Sequence, residues 1–229
     1  MSFTESFRQN FIEDDRWQYL TEGLKTTLVI TFFAVLIGMV LGFIVAIIRS
    51  TYLRTGKLLI PDLICRLYLT VIRGTPVVVQ LLIIYFVIFA KVPISKTFVA
   101  VIAFGINSGA YVAEIVRGGI MAVDIGQLEA GRSLGLNYRQ TMVSIILPQA
   151  LKTVLPALAN EAIVLLKETS VAGYIAIADL TKGGDIIRSQ TFSAFMPLIA
   201  VALIYLAMVI ILSRLVNILE RRLSRNDKR

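Results

Sequence analysis

Four stretches of this chain carry no charged residue at all: the residues between Lys25 and Arg49, and the runs Gly74–Ala90, Thr97–Ala113 and Ser189–Ser213. A helix needs roughly 20 mostly apolar residues to cross the hydrocarbon core of a bilayer. The first and last runs meet that length, and the middle two reach it if the charges at their ends snorkel outward. Several such runs among 229 residues are hard to bury without lipid. The composition agrees: 57% of the residues are hydrophobic, against about 45–50% in soluble domains. The expected fold is therefore an all-α integral membrane protein with about five transmembrane helices, built as one transmembrane domain over residues 1–229. The spans fall roughly at 25–48, 74–90, 97–116, 149–169 and 192–213, with a polar loop over 117–147.

Composition removes whole classes of chemistry. Cys65 is the only cysteine and there is no histidine. An internal disulfide, a cysteine- or histidine-based metal site, and histidine acid–base catalysis are all excluded. Neither a catalytic set nor a resident cofactor is expected. The acidic residues Glu5, Glu13, Asp14 and Asp15 spoil the basic start that a cleavable signal peptide would need. Phe7, Phe11, Trp17 and Tyr19 predict a short interfacial helix before the first span. Gly38 and Gly42 give that span a small-residue packing face. Residues 58–73 are apolar but interrupted by Pro61, Asp62, Arg66 and Arg73, and read as an amphipathic segment rather than a span. Arg73 reads as an interface anchor. Pro76 starts the second span and Pro148 opens the fourth.

The net charge of +8 is a matter of position. With five spans, Arg49, Arg54, Lys57, Arg117, Arg132, Arg139 and the basic C-terminal tail fall on one side. Only scattered residues such as Arg8, Lys91 and Arg188 fall on the other. Cytoplasmic loops are enriched in Lys and Arg. The expectation is an N-terminus outside, a C-terminus inside and a cytoplasmic 117–147 loop, with the charge serving topology and lipid contact and not nucleic acid.

Inside that loop stands Glu129-Ala130-Gly131, then three residues, then Gly135, then nine residues, then Ile145-Ile146-Leu147-Pro148. This resembles the EAA signature of bacterial ABC-importer permeases at every spacing, with Gly131 in place of the second alanine. The runs Arg73-Gly74-Thr75-Pro76, Asn107-Ser108-Gly109-Ala110-Tyr111 and Leu166-Lys167-Glu168-Thr169-Ser170 are similar to the polar amino-acid uptake branch of that family. The resemblance covers roughly residues 20–222. It implies a permease subunit in the bacterial cytoplasmic (inner) membrane. Glu129, Ala130, Gly131, Gly135, Leu147 and Pro148 would couple it to separate ABC ATPase subunits, which carry the ATP and Mg. It further implies an extracytoplasmic amino-acid-binding protein and a second permease copy, identical or related. From the residues themselves, Asp124 can cap a short helix ending near Leu134, and Gly135 permits the positive φ of a turn. No G-x-x-x-x-G-K-[ST] loop is present, so energy must come from a partner.

Polar residues inside spans default to functional candidates. Asn107, Tyr111 and Glu114 fall on one helical face with Ser108 on its flank, while Glu161, Lys167 and Glu168 lie on the fourth span. Together they form a candidate substrate pathway, in which carboxylates meet an ammonium and a lysine meets a carboxylate. Plainer roles stand beside these. Glu114 can simply pair with Arg117, Glu161 can bridge helices, and Lys167 and Glu168 can sit at the outer rim as a gate or docking point. The acidic surplus favours arginine or lysine as substrate, then glutamine, with cystine possible. The competing class is a stand-alone secondary amino-acid carrier, which predicts inverted repeats; no internal repeat is visible.

Overall fold

The computed structural model describes residues 2–226, with side chains through Arg221. The last residues of the basic C-terminal tail lie outside the described residues. The helices are α1 (Phe3–Phe7), α2 (Trp17–Thr55), α3 (Leu59–Gly74), α4 (Val77–Ile83), α5 (Lys96–Ala122), α6 (Ile125–Ser133), α7 (Tyr138–Thr141), α8 (Leu147–Glu168), α9 (Leu180–Thr191) and α10 (Phe195–Asn226). No strand occurs among the described residues. By length and composition four helices can each cross a membrane, and a fifth span is available if the bent pair Leu59–Gly74 and Val77–Ile88 is one broken span.

The N-terminal segment is shorter than the aromatic pattern predicts. Asp14 and Asp15 take positive φ and break the chain, and α2 begins immediately after, at Trp17. Trp17 and Tyr19 thus belong to the long first span, and Phe11 is buried. At 1.5 Å per residue α2 is about 58 Å long, well beyond the hydrocarbon thickness. Its outer face is apolar and exposed at Phe32, Phe33, Leu36, Val40 and Ile44, as lipid requires.

Residues 58–73 form the amphipathic segment expected, with the sense of its faces decided by the fold. They form α3, whose charged Asp62 is fully buried beside Cys65 and Leu69 while Ile60, Leu63, Ile64 and Leu67 point outward. A helix lying on water does the reverse. The chain then turns by 110° into Val77–Ile88. That second piece starts after Pro76 and is too short to cross alone. The fourth span begins a full ten residues before Pro148. Asn137 and Gln140 form a capping box at the start of α7. A π turn over Met142–Ile146 then leads into α8, giving a continuous helical stretch Tyr138–Ile175. The wide turn accommodates Pro148, whose missing N–H and ring would break a regular helix interior. Finally, the polar stretch 171–188 is largely ordered as helix, ending in α9.

The chain forms two compact units, and their boundaries fall inside α2, α5, α8 and α10 and at Gly74. The first gathers the residues up to Leu36 with Thr75–Gly105 and Ala162–Arg214. Here Asp179 caps α9 by accepting from the N–H groups of Thr181 and Lys182, and the Leu180 N–H donates to the Thr27 hydroxyl at 3.1 Å. Burial pushes the Asp179 carboxyl above its ordinary pKa, against the pull of those N–H donors. Phe11, Leu20, Leu180, Ile187 and Val201 form one apolar cluster of this unit. The second unit comprises Ile37–Gly74, Ile106–Glu161 and the chain from Leu215 onward. In it α2 and α5 approach closely: a Cβ on Gly38 would stand 3.0 Å from the Ser108 side chain, and one on Gly42 would overlap Val112.

Candidate functional site

Within the second unit, α6 is built as a rigid, half-exposed knob. Asp124 accepts from the Gly126 N–H at 2.6 Å, satisfying one of the free donors at the helix start. At the other end the Leu136 N–H donates to the Gly131 carbonyl at 3.1 Å and the Gly135 N–H to that of Arg132 at 3.0 Å. This is the Schellman closure, and it needs the positive φ that Gly135 supplies at +83°. One face of α6 is anchored. Leu128 packs into a core with Val116, Ile120, Met142, Ile146, Ala150 and Val154, and the half-buried Leu147 joins them. Gly131 faces Thr141 so closely that a Cβ there would lie 2.5 Å from the threonine methyl. The opposite face is free: Glu129 and Ala130 are exposed, Ile125 and Leu134 are 62% and 80% exposed, and Gly135 and Pro148 are also at the surface. The six coupling candidates therefore divide into an outward set and an inward pair, Gly131 and Leu147. Arg54 adds a strut that the sequence did not reveal, donating to the Ile120 carbonyl at 2.7 Å and to that of Val123 at 3.3 Å. It satisfies the carbonyl end of α5, where a cation is also favoured by the helix dipole.

The pathway candidates of this unit fall into two groups. The Ser108 hydroxyl donates to Glu161 Oε1 at 3.0 Å, joining α5 to α8 with both side chains buried. Asn107 is buried beside Ser108. One to two turns along α5, Glu114 receives the Arg117 guanidinium at 2.8 and 3.3 Å and the Arg73 guanidinium at 3.8 Å. Arg73 also lies 5.8 Å from the centre of the Tyr111 ring, within cation–π range. Glu114 is thus an ion-paired residue, and Arg73 is a member of the same cluster. A second arginine cluster sits next to it: Asp62, fully buried, is held by Arg66 at 2.6 Å and Arg49 at 3.3 Å. The signal was present in the sequence, because Asp62 and Arg66 are an i, i+4 pair inside an apolar stretch. Lys167 and Glu168 belong to the first unit. There Lys167 is exposed and lines a cavity of about 360 Å³ with Ser170, Thr181, Leu198 and Tyr205, while Glu168 is half-buried. Among the described residues no group of His, Cys, Asp and Glu is arranged to hold a metal ion.

The class defined by these features is a helical, multi-span membrane permease that presents a short anchored helix, α6, at its surface. The chain belongs to the family of binding-protein-dependent transport system inner membrane components, whose model matches residues 38–225. It is 37% identical over 212 residues to the arginine transport system permease protein ArtQ of Bacillus subtilis, covering 91% of this chain and 94% of that one. It is 38% identical over 207 residues to the putative glutamine transport system permease protein GlnP of Rickettsia bellii, covering 90% and 93%. The L-cystine transport system permease protein TcyB of Bacillus subtilis is 34% identical over 218 residues, covering 94% and 91%. A chain from the crystal structure of an amino acid ABC transporter with histidines superposes with a TM-score of 0.84 at 41% identity, over 97% of this chain and 99% of that one. The inward-facing MetNI methionine ABC transporter shares the fold, with a TM-score of 0.77 at 19% identity over 92% and 98%.

Proposed function

We propose that this permease imports polar amino acids, driven by separate ABC ATPase subunits that dock on α6. The observation that carries this reading is α6 itself: capped at both ends, anchored through Leu128 and Gly131, and exposing Glu129, Ala130 and Leu134. A knob held this way passes a push on its outer face into α5 and α8 with little loss. ATP and Mg bind in the ATPase, not in this chain. Two permease copies, identical or related, enclose the path, and an external binding protein delivers the substrate. The crowding of arginines on α2, α3 and α5 supports a cytoplasmic side for α6 and the C-terminus, with the N-terminus outside.

Arginine or lysine is the preferred substrate class, with glutamine next and cystine possible; arginine, glutamine and cystine are the amino acids in the names of three relatives. Glu161 is the residue that supports the cationic preference. It is a buried carboxylate inside α8, where it accepts from the Ser108 hydroxyl at 3.0 Å, and an acidic group inside a span is a functional candidate. Asn107, Tyr111, Lys167 and Glu168 complete the proposed path. The test is ATP hydrolysis by the chain purified with its partners in proteoliposomes, with the binding protein and a panel of amino acids. Stimulation by arginine or lysine, lost in Glu161→Gln, supports the whole reading. Stimulation by glutamine or cystine keeps the importer and removes the cationic preference. A well-folded preparation that recruits no ATPase refutes it.

A further inference from the structure

Helix α3 carries three distinct faces. At 3.6 residues per turn, Asp62, Cys65 and Leu69 fall together and are buried. Ile60, Leu63, Ile64, Leu67 and Val71 fall on the opposite side and are 49–73% exposed. Arg66, Thr70 and Arg73 form a strip between the two. That strip borders a cavity of about 740 Å³, completed by Arg49, Tyr111 and Glu114. The charges around it do not cancel. Four guanidinium groups (Arg49, Arg66, Arg73 and Arg117) share two carboxylates, Asp62 and Glu114, leaving a surplus of two positive charges. The Arg66 and Arg73 side chains are 47% and 45% exposed, so their forked donors have directions left over after the ion pairs are made. Planar forks of this kind match the paired oxygens of a phosphate.

We infer that this cleft binds the phosphate head group of an anionic phospholipid, with the acyl chains laid along the exposed apolar strip of α3. A free phosphate would satisfy only the arginines. A lipid satisfies both the arginine strip and the apolar face that borders it along the same helix. Basic pockets beside membrane helices are suited to anionic head groups, each cation near the surface being worth about 1 kcal/mol, or about fivefold in binding. The cleft shares Tyr111 with the proposed path, but its test reads lipid retention and does not need uptake.

The experiment is native mass spectrometry of the detergent-purified protein titrated with phosphatidylglycerol or phosphatidylcholine of the same acyl chains. Phosphatidylglycerol is expected to be retained at least about fivefold more strongly. Arg73→Gln and Arg66→Gln should each weaken it by about fivefold, and Arg66→Lys, which keeps a cation beside Asp62 but loses the fork, should restore it only in part. Thr70→Trp fills the cleft without altering charge and should also expel the lipid, which keeps the test usable if an arginine variant does not fold. Equal retention of the two lipids, or unchanged phosphatidylglycerol binding in both Thr70→Trp and Arg73→Gln, overturns the inference. Displacement of the lipid by millimolar inorganic phosphate would reassign the cleft to a free anion. Displacement by an amino acid would assign it to the transport path, and either result overturns the lipid assignment.

Discussion

Restoring alanine at position 131 isolates how α6 is held. A Cβ on Gly131 would stand 2.5 Å from Thr141 Cγ2, 2.9 Å from its Oγ1 and 3.2 Å from Ile145 Cδ1. Carbon atoms in comfortable contact lie about 3.5–4.0 Å apart. Thr141 is fully buried and cannot swing into solvent. Overpacking of this kind costs about 1–3 kcal/mol, while replacing a helical glycine by alanine returns about 0.8–1 kcal/mol. Gly131→Ala alone should therefore be near neutral to moderately destabilising, a poor test by itself. In a Thr141→Ala background both threonine atoms are gone, leaving the helix gain and the 3.2 Å contact with Ile145 Cδ1, the movable end of a side chain. Thr141→Ala has its own cost, since its hydroxyl donates to the Asn137 carbonyl at 3.1 Å, but that cost cancels in the cycle. The coupling between the two sites should be about 1–3 kcal/mol. In a chain of this size that is roughly 2–12 °C between backgrounds in the effect of alanine on the melting midpoint. The assay is thermal unfolding of the four proteins in one detergent, with ATP hydrolysis by the reconstituted complex read in parallel. Effects additive to within about 0.5 kcal/mol would refute the packing argument, because the glycine would then not be there for Thr141.

Three further outcomes are expected. Glu129→Lys reverses an exposed charge on α6, so the fold and melting midpoint should hold while coupled uptake falls at least about tenfold; normal uptake would remove α6 from the docking role. Asp62→Asn leaves Arg49 and Arg66 without their buried counter-charge and should cost about 3–5 kcal/mol, read as a lost or sharply lowered melting transition; a wild-type midpoint would show that water already solvates this cluster. At the surface of the first unit, Lys182 and then Arg188 hold the Asp185 carboxyl below its ordinary pKa. A lowered folded pKa contributes stability above the unfolded value of about 3.9 that is lost as pH falls through the folded value. Hydrogen exchange protection of α9 should accordingly drop only below about pH 4, and Asp185→Asn should flatten that dependence; an unchanged profile would count against the ion triplet.

The uncharged runs determined by themselves that the chain must live in a bilayer, since nothing but lipid can cover so many contiguous apolar residues. Local chemistry also reads directly from sequence. Asp124 and Gly135 mark the two ends of α6 because a cap uses a side-chain oxygen and a left-handed turn favours a missing Cβ. The spacing from Glu129 to Pro148 carried the family on its own. Pro76 stands at a helix start as expected, but Pro148 misled, because a proline marks a helix start only when no wider turn precedes it. The π turn over Met142–Ile146 lets Pro148 sit well inside a helix that Asn137 and Gln140 had already begun.

Tertiary structure alone decided where each charge is spent. Sequence spacing put Glu114 beside Arg117, but only folding brings Arg73 to the same carboxylate, and only folding pairs Ser108 with Glu161 across 53 positions of chain. The inside-out α3 makes the same point. Its composition is that of any amphipathic helix, and which face turns inward is set by the arginine that waits on α2 for a buried aspartate. Periodicity is a property of one helix. The sign of its burial belongs to the neighbours it meets, and those are distant in the chain.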